Sequence, residues 1–264
     1  MANTRITEDW QEWLHVNKKR GVPIDEIIII AMQNGWNRAE VEDILGEVGG
    51  DQVGPYWEHW FNPTLPENAV KYPSKLLQLY TIEDFLSKDE CETVIGVIDQ
   101  VLEPSTVTSN EEGYRTSRTS YWHEYDPELA AYMDKKMSSI LNVHPMFSEA
   151  IQGVRYDEGE YFKEHVDWFD KQHNQGEFVV DYGQRTWTVM IYLNDVEAGG
   201  ETHFRHIDYS FTPKRGTAVL WNNLNIHGRG NAMTTHEALP VTKGTKYIIT
   251  KWFREQRDPD WGNR

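Results

Sequence analysis

The chain has 264 residues, of which 26% are charged, 39% hydrophobic and 12% aromatic, a balance that excludes a disordered or low-complexity protein and suffices for one sizeable core with a small appendage. A net charge of −16 argues against a phosphate-rich partner, so nucleic acid is not expected and a basic or neutral substrate fits better.

Residues 1–50 read as a small helical module. Pro23 suits the first turn of a helix, and Gly35 is placed to end the segment through Ile27–Ile30 and Met32. Residues 1–20 carry no secretory pattern, and the aliphatic run from Ile27 to Met32 is too short to cross a bilayer; a cytoplasmic protein without membrane contact is expected. Asn37 with Glu40 has capping-box spacing, opening a helix with Val41, Ile44 and Leu45 inward, and Gly49-Gly50 stops it. The module is expected to pack on the main domain, with a partner-binding role as the alternative. Residues 51–75 contain four prolines beside Tyr56, Trp57, Trp60 and Phe61 and read as an irregular connector.

The main domain is expected over 76–256, with 257–264 as a tail. Ser87 and Glu90 again have capping-box spacing, before a helix over Val94, Ile95, Ile98 and Val101. The single cysteine, Cys91, lies on it and reads as packing rather than chemistry. A further helix is expected after Asp126-Pro127, using Leu129, Tyr132, Met133 and Ile140. Beyond Ile151 the pattern changes to short β-branched and aromatic runs: Ile151–Tyr156, Thr186–Leu193, Thr217–Trp221 and Lys246–Phe253. Such a series predicts an α+β fold with a sandwich or jelly-roll core supported by the earlier helices.

His165-Val166-Asp167 is the first candidate for chemistry. In an extended strand, residues two apart project to one face, so both side chains can reach one metal ion. With a second His they make the two-His-one-carboxylate set that leaves coordination positions open and suits non-haem Fe(II). Candidates in the strand-rich half are His203, His206, His227 and His236. His236 is preferred because Lys246 follows it by ten residues, a step that puts a cation on the neighbouring strand. A lysine inside a sheet's core needs a carboxylate partner, which a dicarboxylate co-substrate would supply.

From Tyr80 to Glu255 the chain resembles the prolyl 4-hydroxylase-like branch of the Fe(II)/2-oxoglutarate-dependent dioxygenases. The resemblance runs through Phe85-Leu86-Ser87, Tyr114-Arg115-Thr116-Ser117, Tyr156 to Asp167, Arg185 to Asp195, Gly199 to Phe204, Pro213 to Leu224 and His236 to Arg254, in order. It implies a double-stranded β-helix, Fe(II), 2-oxoglutarate and O2, with ascorbate as a candidate reductant. By position it implies His165, Asp167 and His236 as iron ligands and Lys246 on the distal carboxylate of 2-oxoglutarate, with Tyr156 and Thr188 hydrogen-bonded to that carboxylate. Arg115, Arg185 and Trp252 match positions near the substrate groove. Phe162 stands where prolyl hydroxylases of this branch carry a substrate-contacting tyrosine, and Arg254 where several have histidine. The expected activity is therefore C–H hydroxylation of a prolyl residue in a peptide or protein, with a free amino acid, lysine or small metabolite as the alternative substrate. A non-catalytic metal-binding or partner-binding protein is the third reading. Residues 168–184 are expected to form a lid. The sequence leaves the oligomeric state open.

Overall fold

The computed structural model describes residues 6–20, 22, 24–45, 65–74, 76–105, 113–169, 183–225 and 228–256. The expectations for Pro23, Gly49-Gly50, the 257–264 tail and most of the lid fall outside these residues.

Three short helices open the chain: α1 (Glu8–Lys19), α2 (Ile24–Gln33) and α3 (Arg38–Leu45). Acidic Glu8 and Asp9 in the first turn of α1, with Lys18 and Lys19 in its last, complement the helix dipole. Leu14, Ile27, Ile28, Ala31, Val41 and Leu45 form a core of their own, with Trp10, Trp13, Trp36 and Leu76 packed around it. Gly35, at φ +87°, takes the left-handed turn that separates α2 from α3.

The sheets begin earlier than expected. Strand β1 (Ala69–Lys71) lies inside the stretch read as an irregular connector and pairs antiparallel with β2 (Leu79–Ile82). Helix α4 (Lys88–Ile98) follows, with the Ser87–Glu90 capping box formed on both sides. After the short β3 (Glu103–Pro104) and β4 (Arg118–Tyr121) comes α5 (Pro127–Leu141). Asp126 caps α5 by accepting from the Leu129 amide at 3.0 Å, and Pro127 sits at its start, where no backbone donor is needed. The remaining strands are β5 (Gln152–Tyr156), β6 (Phe162–His165), β7 (Arg185–Tyr192), β8 (Ala198–Gly199), β9 (Thr202–Phe204), β10 (Tyr209–Phe211), β11 (Ala218–Asn222), β12 (His236–Ala238), β13 (Val241–Lys243) and β14 (Lys246–Arg254).

The larger sheet has the order β1-β2-β11-β7-β14-β5-β4-β3, and a four-stranded sheet has the order β10-β9-β12-β6. The alternation along β7 shows how the layers stack. Trp187, Val189 and Ile191 face α4 and α5, in one core with Val94, Ile98, Met133 and Met137. Met190 and Tyr192 face the other way, in a second core with Phe204, Trp221, Val241 and Ile248. Both faces of the strand are covered, so it reads as an almost unbroken apolar run. Two packed antiparallel sheets with helices on one outer face make an α+β double-stranded β-helix.

Candidate active site

Strands β6 and β12 run antiparallel with His165 opposite His236, their ring centroids 4.2 Å apart. The strand argument for Asp167 needs correction: β6 ends at His165, and Asp167 lies just beyond it. The chain still brings the three together, with one ligand atom from each of His165, Asp167 and His236 all lying within 4.8 Å of one another. The Nδ1 atoms of His165 and His236 each lie 2.8 Å from a backbone carbonyl, of Lys163 and Thr234 respectively. Donation from Nδ1–H to these carbonyls leaves the Nε2 lone pairs free for a metal.

The Asp167 carboxylate is oriented as well. Its Oδ2 accepts from the Thr188 hydroxyl at 2.6 Å, while Oδ1 lies 4.0 Å from His165 Nε2. Burial pushes the Asp167 carboxyl up, but His236, His165, Arg185 and the Thr188 hydroxyl outweigh it and hold it below the usual carboxylate range. Burial, then neighbouring His236, pushes the His165 imidazole down to about 3. Two imidazoles and one carboxylate form the donor set that suits Fe(II). Among the described residues no other group of three His, Cys, Asp or Glu side chains is arranged in this way. His203 instead meets the Ser210 hydroxyl at 3.0 Å, and His206 lies in a 3-10 turn. His227 lies outside the described residues.

Lys246 lies in the same cavity as the triad. It is 1% exposed, and its Nζ has no hydrogen-bond partner, lying 5.0 Å from the Tyr156 ring centre and 5.6 Å from that of Tyr192. Burial pulls its pKa down to about 7, against the opposing pull of Glu201. An unpaired buried ammonium is costly, and a carboxylate seated on it would remove that cost. The residues thus fit both an iron ion and a dicarboxylate such as 2-oxoglutarate.

The other expected site residues separate into two groups. Arg115, Tyr156, Phe162 and Trp252 line the cavity. Phe162 stacks on His165 with centroids 3.6 Å apart, and the Arg115 guanidinium lies 4.8 Å from the Phe162 ring centre. The Arg115 guanidinium also donates to Ser117 at 2.8 Å and Gln152 at 3.1 Å. Thr188 and Arg185 have other duties than expected. Thr188 donates to Asp167 rather than standing beside Lys246. Arg185 makes a two-pronged ion pair with Glu149, both contacts 2.6 Å, and its guanidinium lies 4.0 Å from the Trp252 ring centre. Arg254 donates to the same Glu149 at 2.7 Å. Glu149, Gln152 and Asn223 went unnoticed in the sequence, since no spacing ties them to the ligands. At the base of the expected lid, the Gln184 side chain accepts from the Phe169 amide at 2.7 Å and donates to its carbonyl at 2.8 Å. Residues 170–182 lie outside the described residues.

Residues 151–254 match the family model of the 2OG-Fe(II) oxygenase superfamily. A viral collagen prolyl hydroxylase from Paramecium bursaria Chlorella virus-1, solved as a 2OG complex, is similar at a TM-score of 0.54 and 28% identity, covering 67% of this chain and 95% of that one. The prolyl 4-hydroxylase subunit alpha-1 of Gallus gallus is 31% identical over 179 residues, which is 66% of this chain and 35% of its own length. The alpha-3 subunit of Bos taurus is 32% identical over 178 residues, 65% of this chain and 32% of its own. The chain therefore spans about a third of the length of these curated relatives. Fold and donor set fit the 2-oxoglutarate- and Fe(II)-dependent oxygenase superfamily whose model residues 151–254 match. Within it, the domain is similar to prolyl 4-hydroxylases.

Proposed function

We propose that this protein is an Fe(II)- and 2-oxoglutarate-dependent dioxygenase that hydroxylates a prolyl residue in a peptide or protein. The observation that carries the reading is Lys246, a buried lysine whose amine has no hydrogen-bond partner, in the cavity that also holds the His165–Asp167–His236 triad. When bound, iron and 2-oxoglutarate supply O2-dependent hydroxylation of an unactivated C–H bond, with release of succinate and CO2.

The chain's own residues prepare that chemistry. His165, Asp167 and His236 hold iron, with Nδ1 donation fixing both imidazoles and Thr188 fixing the carboxylate. Lys246 neutralises the distal carboxylate, with Tyr156 beside it. Phe204 and Trp221 pack around His236, at centroid distances of 5.4 and 4.8 Å, and keep water from that side. Arg115, Phe162 and Trp252 form the substrate end, and Glu149 holds Arg185 against Trp252. The catalytic domain is assigned to 76–256, joined by the strand at 69–71. A single buried thiol supports a cytoplasmic setting, and no helix among the described residues is long and apolar enough to cross a membrane.

Phe162 favours a second reading, the same chemistry on a free amino acid, lysine or small metabolite, because its ring is spent on stacking against His165 and offers no hydroxyl to a substrate. The test is a screen of proline-rich peptides against free amino acids, scored by succinate formed and by addition of one oxygen atom to the substrate. Succinate coupled to oxygenated peptide supports the first reading. Coupling only with a free amino acid supports the second, and no coupled turnover with any substrate, from a protein that binds iron, would sink both. His236→Ala is expected to abolish turnover.

A further inference from the structure

The N-terminal helices touch the barrel at a specific place. Helix α2 packs against the 3-10 turn Ala232–Thr234, which leads directly into His236. Met233 and Thr234 in that turn are fully buried. The Thr234 carbonyl is the group that receives the His236 imidazole at 2.8 Å. The position of the turn therefore sets the orientation of that ring.

A second route runs from the same helical unit to Asp167. Leu76 packs on the unit's core, and its carbonyl accepts from the Asn231 side-chain amide at 2.8 Å. The Asn231 backbone amide donates to the Asn223 carbonyl at 2.8 Å. The Asn223 side-chain amide donates to the Thr188 hydroxyl at 2.8 Å, and that hydroxyl donates to Asp167 Oδ2 at 2.6 Å. An amide N–H can only donate, so Thr188 must accept from Asn223 and aim its own proton at Asp167. One carboxylate oxygen is thereby occupied, and Oδ1 is left on the His165 side. The two routes meet at Asn231, which is 1% exposed and also caps the 3-10 turn by accepting from the Met233 amide at 2.9 Å.

We infer that the N-terminal helical unit is a brace for the metal-binding end of the barrel, holding His236 through the 232–234 turn and Asp167 through the Asn231–Asn223–Thr188 relay. The inference rests on the reading of these residues as iron ligands. Asn231, Asn223 and Thr188 are positioning residues: they act through the ligands and not on a substrate. Outer partners of metal ligands typically contribute about 10- to 100-fold in metal affinity.

The test uses the full chain and Mn(II) as a redox-inert probe, titrated by the electron paramagnetic resonance signal of the free ion, together with amide hydrogen exchange. Ile28→Ala alters only the helical unit's own core; Thr188→Val removes the relay's last donor. Each is expected to weaken Mn(II) binding about tenfold or more, Ile28→Ala with faster exchange across 231–236, and Thr188→Ser is expected to restore affinity. The brace is overturned if Ile28→Ala speeds exchange within α2 while Mn(II) affinity and exchange at 231–236 stay at wild-type values. Should Ile28→Ala prevent folding, Ile28→Val gives the same comparison with a smaller cavity. Failure of the wild-type chain to bind Mn(II) would instead count against the metal site itself, so the two failures are distinguishable.

Discussion

Lys246 shows how much one residue can reveal. A lysine held charged in a sheet interior without a partner costs several kcal/mol, a cost that loss of its proton or a seated anion would relieve. Lys246→Met is expected to keep Mn(II) binding and to weaken 2-oxoglutarate by more than about 100-fold, matching the roughly 3–5 kcal/mol lost when a buried pair loses one member. Calorimetric titration checks this, and an unchanged affinity would rule out the assigned role. The ammonium titrates at 10.5 when unperturbed and at about 7 in the fold. Between those values the unfolded chain holds a proton that the folded chain lacks, so ligand-free stability should rise with pH across that window. A bound dicarboxylate restores the proton, so binding at pH 8 should take up nearly one proton, seen as a binding enthalpy that depends on the buffer. The ten-residue step after His236 pointed to Lys246, but the neighbouring-strand geometry expected for it is not what the fold uses: β12 lies in the four-stranded sheet and β14 in the larger one, and the two residues meet across the cavity between them. Glu149 had no such pointer: its partners Arg185 and Arg254 lie 36 and 105 residues away, and only the fold joins them.

Elements followed local rules closely. The capping box at Ser87–Glu90, the Asp126-Pro127 helix start and the apolar runs that became β5, β7, β11 and β14 were all readable, since caps and periodicity act over a few residues. The short strands β1, β3 and β8 were not, because two- and three-residue strands exist only by virtue of their neighbours. Gly216 illustrates such a constraint. It sits at φ +76°, and an added Cβ would lie 2.3 Å from the Leu86 carbonyl oxygen. Gly216→Ala is expected to destabilise the protein by at least about 1–3 kcal/mol, a penalty for a strained backbone conformation to which the clash adds. Gly96→Ala, at an exposed position of α4 with open space around it, should stabilise by about 0.5–1 kcal/mol. Urea midpoints of the two variants test both signs; equal shifts would show that the close approach to Leu86 is not limiting.

At the scale of the whole molecule, the two sheets enclose a site whose protonation states oppose acid. His165 titrates at about 3 in the fold against 6.5 unperturbed, with burial as the main cause. From pH 6.5 down to about 3 the unfolded chain therefore gains a proton that the folded chain does not, and stability falls. Asp167 and Glu149 act in the same direction lower down. Their carboxyls are held below the ordinary values of 3.8 and 4.5, so their stabilisation is present above those values and lost as pH falls through the folded pKa. The metal-free protein is expected to have a lower urea midpoint at pH 5 than at pH 7. Equal midpoints would mean that His165 is open to water and not buried.

The sequence by itself offered the residue types and the local periods: the His165–Asp167 pair, candidate partners for it, and strand runs that predict an α+β fold, because residue type and periodicity are set within a few residues. The full set with His236 and Lys246 came from the family resemblance. Only the tertiary structure decided which residues orient those ligands. Thr188, expected at the co-substrate, donates to Asp167, and Arg185, expected near the substrate groove or in a structural role, is paired with Glu149. The N-terminal helices were expected to pack on the main domain, but the place where they do so was not readable, since α2 meets the turn before His236 across roughly 200 residues of chain. Hydrogen bonds and packing between distant segments leave no periodic trace in a sequence; they are set when the chain closes on itself.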